Sequence, residues 1–265
     1  MGPWSYSPAP ATGRRACAPL PWQDVMRAMR IAVISDLHIG AEDFRPDGFG
    51  EFLDHLEREH DEIILLGDVF ECYFPVLPWK ALAEYDRFDR LYADITGRFH
   101  SAKYTILSGN HDRVVQRARG IPSRAERGEK GYRVLLSHGH ENEPAYQSSL
   151  RVRLVELYMW LVYRLKRCGL PALYDYSYRM DYQLNMKDGG AAHLEAARAH
   201  VGRGYDVVVF GHTHVERHVE LRGGGTYINT GDCVRRRMYA SLDLERRQCH
   251  LLEFPGRCVP PEREG

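Results

Sequence analysis

Short aliphatic runs that each end in glycine or polar residues give this chain its pattern. Ile63-Ile64-Leu65-Leu66 is the purest of them: four consecutive aliphatic residues predict a strand buried on both faces, and Gly67 lets the backbone turn so that Asp68 projects from its carboxyl edge. Similar runs at 31–35, 104–107, 132–136 and 207–210 lead into Asp36-Leu37-His38, Gly109-Asn110-His111-Asp112, His138-Gly139-His140 and Gly211-His212-Thr213-His214. Between the first two runs, Phe49, Phe52, Leu53 and Leu56 have helical spacing, which predicts a βαβ crossover over 49–60. A second helical stretch is expected over 79–99, and the charged segment 124–130 is expected to be an exposed connection. Open α/β sheets carry their chemistry at the carboxyl edge of the strands, which is where these polar loops fall.

No strand pattern occurs between His140 and Tyr205, so a helical insertion is expected over about 141–204. Its main helix, 147–167, is apolar almost all round at its centre, with Arg151, Arg153, Arg164, Lys166 and Arg167 at its flanks. Gly169 and Pro171 end it, Tyr174, Tyr176, Tyr178 and Tyr182 follow, and an Ala-rich helix is expected over 188–201. Runs at 226–228, 238–244 and 250–254 predict a closing set of antiparallel strands. Residues 1–28, rich in Pro, Ala and Arg, and 255–265 are expected to be disordered, with the main domain over 29–254.

Composition narrows the function. The 265 residues hold 36 basic and 36 acidic side chains, a balance that argues against an extended nucleic-acid groove. Cys17, Cys72, Cys168, Cys233, Cys249 and Cys258 form no Cys-x-x-Cys pair, which fits a reducing compartment and no thiolate zinc site. The segment 1–28 lacks the apolar run of a signal peptide, and no stretch reaches the ~20 apolar residues of a membrane span. A cytoplasmic protein is expected, with the basic cap flanks suited to peripheral contact with an anionic membrane surface.

Each polar loop is commonplace alone, since Gly-Asp is an ordinary turn and a lone histidine is usually structural. Together the loops bring two Asp, one Asn and four His without a thiolate: Asp36, His38, Asp68, Asn110, His138, His212 and His214. Such donors suit five- or six-coordinate Mn, Fe, Zn or Ni, and seven of them exceed one shell that must also admit water. Two divalent ions sharing Asp68 are expected, a pairing suited to phosphoryl chemistry.

The ordered motifs Asp36-x-His38, Gly67-Asp68, Gly109-Asn110-His111-Asp112, His138 and Gly211-His212-x-His214 resemble those of the calcineurin-like metallophosphoesterases across roughly 29–245. That resemblance implies a four-layer α-β-β-α sandwich, two mixed sheets flanked by helices, with a helical cap. It also implies that Asp36, His38, Asp68 and His214 hold one ion and Asp68, Asn110, His138 and His212 the other, Mn²⁺ foremost. His111 would act on the leaving oxygen, oriented by Asp112, while water activated at the metals attacks phosphorus. Within the family, Gly67-Asp68-Val69-Phe70-Glu71, Ala145-Tyr146-Gln147 with the Arg-rich helix, and Asn229-Thr230-Gly231-Asp232 resemble the UDP-2,3-diacylglucosamine hydrolases of lipid A synthesis. Those enzymes usually carry Arg, Asp and Trp where this chain has His111, His140 and Cys233; a histidine at 111 is the pattern of the wider family. The expected partner is a phosphorylated small molecule or nucleotide-linked lipid, with Tyr146, Leu157 and Trp160 as cap residues near it. A general phosphomonoesterase or cyclic-nucleotide phosphodiesterase is the alternative, and a catalytically silent scaffold a third.

Overall fold

In the computed structural model, which describes residues 29–72, 78–177, 179–180 and 190–264, the aliphatic run is strand β2 (Glu62–Leu66), buried along its whole length. Side chains alternate across a strand, and here both directions are covered. Ile63 and Leu65 pack with Phe49, Phe52, Leu53 and Leu56 of α1 (Phe49–Glu59) on the outer face of the sheet. Ile64 and Leu66 point the other way, into a layer shared with Val134, Leu136, Val207 and Val209 of a second sheet.

The first sheet has the order β11-β10-β9-β1-β2-β3, formed by β1 (Arg30–Ile34), β2, β3 (Tyr104–Leu107), β9 (Met238–Asp243), β10 (Gln248–Glu253) and β11 (Arg257–Val259). The second, β12-β7-β8-β6-β5-β4, is formed by β4 (Arg124–Glu129), β5 (Tyr132–Ser137), β6 (Val207–Phe210), β7 (Arg217–Glu220), β8 (Thr226–Asn229) and β12 (Glu262–Arg263). β1, β2 and β3 are parallel, with Ile34 opposite Leu65 and Leu66 opposite Leu107, so their carboxyl ends lie level. β5 and β6 are parallel with Leu136 opposite Val209. Five loops therefore leave the two packed sheets along one edge.

Helices α1, α2 (Pro78–Leu91) and α3 (Ala93–Thr96) cover the first sheet, where Tyr85, Phe88 and Ile95 join its core; Val115 of α4 (Arg113–Ala118) packs there too. On the second sheet, Leu135, Val208, Phe210 and Tyr227 pack against Ala197 of α6 (Ala191–Val201). The result is the four-layer α-β-β-α sandwich with two mixed sheets. The cap helix α5 (Ser149–Arg167) starts at Ser148, whose hydroxyl accepts from the Arg151 N–H at 3.2 Å.

The structure corrects several expectations. The charged segment 124–130 is strand β4, antiparallel to β5. Its alternating charges sit at a sheet edge, where they discourage pairing with another chain, and Arg127 reaches inward to Glu62 at 2.9 Å. The polar tail expected to be disordered from Pro255 carries β11 against β10 and β12 against β7. The strand at 226–228 joins the second sheet parallel to β6, while β9 and β10 are antiparallel neighbours in the first. The stretch 79–99 is divided into α2, α3 and a 3-10 turn, Gly97–His100. The expected N-terminal extension, Tyr178, Tyr182 and Asp188 lie outside the described residues. Among the described residues no helix is long and apolar enough to cross a membrane.

Candidate metal centre

The strand-end loops turn their side chains inward by an unfavourable backbone choice. Asp36, His38, Asp68, His212 and His214 have φ of 55°, 47°, 52°, 69° and 58°, a left-handed region that costs an ordinary residue about 1–2 kcal/mol. Only Lys130 and Arg247 share that sign among the other described non-glycine residues. Strain gathered at one place needs surroundings that hold it, and the glycines make these surroundings tight. A Cβ on Gly109 would lie 2.1 Å from Asp68 Oδ1, and one on Gly211 would lie 2.3 Å from Ser35 Oγ and 2.7 Å from Asp36 Oδ2. Asp112 then ties two loops together, accepting from the Val69 N–H at 2.9 Å and the Gly109 N–H at 3.0 Å.

Two carboxylate oxygens are left facing the centre. Asp36 Oδ2 accepts from the Ser35 hydroxyl and, at 3.0 Å, from the His212 N–H. Its Oδ1 is buried without a hydrogen-bond partner, 3.3 Å from His214 Nε2 and 3.8 Å from His38 Nε2. Asp68 Oδ1 accepts from the His111 N–H at 2.8 Å, while its Oδ2 lies 3.3 Å from His138 Nε2, 3.8 Å from His111 Nε2 and 3.9 Å from His38 Nε2. Asn110 Oδ1 lies 3.1 Å from His138 Nε2. Three overlapping donor groups result: Asp36 with His38 and His214, His38 with Asp68 and His111, and Asp68 with His138 and His212. Asp68 belongs to two of them.

The far side of each imidazole decides which nitrogen faces inward. Leu66 O lies 2.7 Å from His138 Nδ1 and accepts its proton, and Glu71 serves two rings at once, with Oε2 2.7 Å from His38 Nδ1 and Oε1 2.9 Å from His111 Nδ1. Glu143, at the cap boundary, lies 3.0 Å from His212 Nε2. Orienting His111, the role expected of Asp112, thus falls to Glu71, because both Asp112 oxygens accept backbone N–H groups. Glu71 stands in the sequence only as the last residue of the Gly67–Glu71 motif, and no local pattern marks Glu143. The available signal was the need of every ligand histidine for a second partner.

Burial disfavours the charged forms of Asp36, Asp68, His38, His111 and His138, yet their neighbours favour those forms more strongly. Against that burial, Asp68 and Asp36 lift His138 to about 10. Asp36, disfavoured by burial, is nevertheless held well below the usual carboxylate range by His214 and His138. A buried pair of carboxylates that draws protons onto its neighbours is a place for positive charge, and the orphaned Asp36 Oδ1 is a ready ligand. The donor set fits divalent metal.

Residues 29–216 match the sequence profile of the calcineurin-like phosphoesterases. The chain belongs to that family. No curated protein matches it. Among solved structures, a conserved predicted phosphoesterase from Streptococcus pneumoniae TIGR4 is 15 % identical, with a TM-score of 0.40 over 89 % of this chain and 95 % of that one. Zinc-complexed wild-type Vps29 from Entamoeba histolytica is also 15 % identical, with 0.44 over 87 % and 96 %, and a novel archaeal phosphodiesterase, again 15 % identical, gives 0.38 over 85 % and 100 %.

The candidate centre opens into a cavity of about 1400 Å³. His38, Asp68, Asn110, His111, His212 and His214 line one end, while Leu157, Met159, Trp160 and Tyr163 of the cap line the other. Tyr146 stands where they meet, its ring 5.8 Å from that of His212.

Two outcomes follow from the geometry. Gly109→Ala should cost about 1–3 kcal/mol and weaken divalent-metal affinity at least tenfold. Gly97→Ala, where nothing lies within 4 Å of the added Cβ, should leave both unchanged. Calorimetric unfolding with metal titration of both variants checks this, and normal metal affinity in Gly109→Ala would refute the interlock. The second concerns pH. His138 is raised above its ordinary 6.5 to about 10, and His38 is raised in the same sense. Their contribution to stability is therefore present below pH 6.5 and lost as pH climbs towards 10. In EDTA the Tm should fall by several degrees between about pH 7 and 9, and saturating Mn²⁺ should remove that slope. A flat profile in EDTA would contradict the charge argument.

Proposed function

We propose that this protein hydrolyses a phosphoester or pyrophosphate bond in a substrate that joins an anionic head to an apolar portion. The observation that carries this reading is the continuity of the cavity between the metal centre and the apolar cap. At about 1400 Å³ it exceeds the ~300–1,000 Å³ usual for small-molecule pockets. Its walls also bear Lys80, Arg87, Arg164 and Arg235, suited to phosphate oxygens. A nucleotide-linked lipid such as UDP-2,3-diacylglucosamine combines both chemistries, and the Gly67–Glu71 and Asn229–Asp232 motifs favour it.

Asp36, His38, Asp68 and His214 would hold one divalent ion, and Asp68, Asn110, His138 and His212 a second, with Mn²⁺ the first choice. When bound, such a pair activates water and neutralises charge on the phosphoryl group. The remaining work belongs to side chains. Glu71 holds His111 through Nδ1, which aims Nε2 into the cavity beside Asp68 Oδ2. Burial disfavours the His111 imidazolium, but the charges of Glu71 and Asp68 outweigh it and raise the pKa. A histidine so placed can, when protonated, give its proton to the leaving oxygen.

His111 itself favours a second reading, a general phosphomonoesterase or cyclic-nucleotide phosphodiesterase with the cap as a lid, because the lipid-hydrolysing relatives usually carry Arg there. A silent scaffold is less well supported, since a scaffold has no need of the complete donor set with Glu71 and Glu143 behind it.

Parallel assays of the Mn²⁺-loaded protein with UDP-2,3-diacylglucosamine, simple nucleotides and bis-p-nitrophenyl phosphate separate these readings. Preferential hydrolysis of the lipid nucleotide, weakened tens-fold by removing four acyl carbons, is expected. Turnover insensitive to chain length assigns the general class. In either case His111→Gln should keep its metals and lower kcat by roughly 10²–10⁴, with a smaller loss for p-nitrophenolate esters; loss of metal from the variant would make His111 a ligand instead.

A further inference from the structure

The cap helix turns an apolar stripe outward. Leu150, Leu154, Leu157 and Leu161 share one face of α5 and are 67, 59, 53 and 48 % exposed. Tyr158 widens the stripe, and Leu170, Leu173 and Tyr176 are exposed on the segment that turns back along α5, where Ser177 meets the Tyr158 hydroxyl at 2.7 Å. Continuous apolar surface of this kind marks a place where something binds.

Charge indicates what binds there. α5 carries Arg151, Arg153, Arg164, Lys166 and Arg167 against one carboxylate, Glu156, and that carboxylate is engaged by Arg113. At 100° per residue, Arg153 and Arg164 border the leucines on one side and Arg151 on the other. Leucines edged by arginines match the headgroup boundary of an anionic membrane, where the apolar stripe enters the acyl region and the cations meet phosphate. Leu157, Tyr158 and Tyr176 also line the cavity, so the stripe runs to its mouth.

We propose that α5 docks this protein on an anionic lipid bilayer through the face formed by Leu150, Leu154, Leu157 and Leu161. A second copy of the chain is the poorer occupant. Paired α5 helices would bring Arg151 and Arg153 against like charges, and the one carboxylate of α5, Glu156, is already engaged by Arg113. The proposal is independent of the hydrolase reading, because binding to lipid requires no turnover.

The test is co-sedimentation of the full chain with sucrose-loaded vesicles of phosphatidylcholine, alone or with about 30 % phosphatidylglycerol, at low and high salt. Wild-type protein should bind the anionic vesicles at least tenfold more tightly, and less so at high salt. Leu154→Gln/Leu161→Gln should weaken that binding tenfold or more, and Arg151→Gln/Arg153→Gln should reduce the anionic preference by roughly ten- to thirtyfold. None of these four residues lines the cavity, so metal binding should stay as in the wild type. Should a variant fail to fold by circular dichroism, the wild-type comparison of the two lipid compositions decides alone. Wild-type protein that ignores anionic vesicles, or folded variants that bind as well as wild type, would overturn the proposal. So would a dimer, seen by analytical ultracentrifugation, that Leu154→Gln/Leu161→Gln dissolves.

Discussion

Two carboxylates sunk to almost zero exposure, Asp36 and Asp68, set the terms for the rest of this molecule. Each uses one oxygen on local hydrogen bonds and turns the other towards a ring of imidazoles. An unbalanced buried charge is expensive, so the arrangement is stable only with positive charge beside it. Protons on His38 and His138 can supply that charge, and divalent ions fit the same donors.

The fold is arranged to hold this concentration of charge. Parallel registers bring the ends of β1, β2 and β3 level, and the packing of one sheet on the other sets the β5 and β6 loops opposite. Left-handed backbone at five ligand positions then aims the side chains inward. Those conformations persist because Gly67, Gly109 and Gly211 allow loop-to-loop contacts that a Cβ would block, and because Asp112 joins the β2 and β3 loops. Glu71 and Glu143 fix the outer nitrogens of His38, His111 and His212. The cap is built on other terms: Val152 and Val162 of α5 are buried, while the leucine stripe faces outward.

Much of the centre could be read in the sequence because its elements announce themselves locally. β2 is buried on both faces and so appears as an unbroken aliphatic run, and α1 has one buried face and so shows helical spacing. Strand β4 escaped because an edge strand with alternating charges has the composition of a loop. β11 and β12 escaped for a related reason, since short polar strands gain their pairing from neighbours far along the chain. Glu71 and Glu143 act through space, and nothing in local spacing distinguishes them from other acidic residues. The orientation of α5 was equally hidden: a helix apolar almost all round does not say which side faces the cavity.

We propose that one centre holds two ions with Asp68 between them. Frozen-solution electron paramagnetic resonance of the protein reconstituted with Mn²⁺, with metal content measured on the same sample, tests it most directly. Two ions per chain and the multiline spectrum of an exchange-coupled pair are expected. One ion per chain with the spectrum of isolated Mn²⁺ would contradict it.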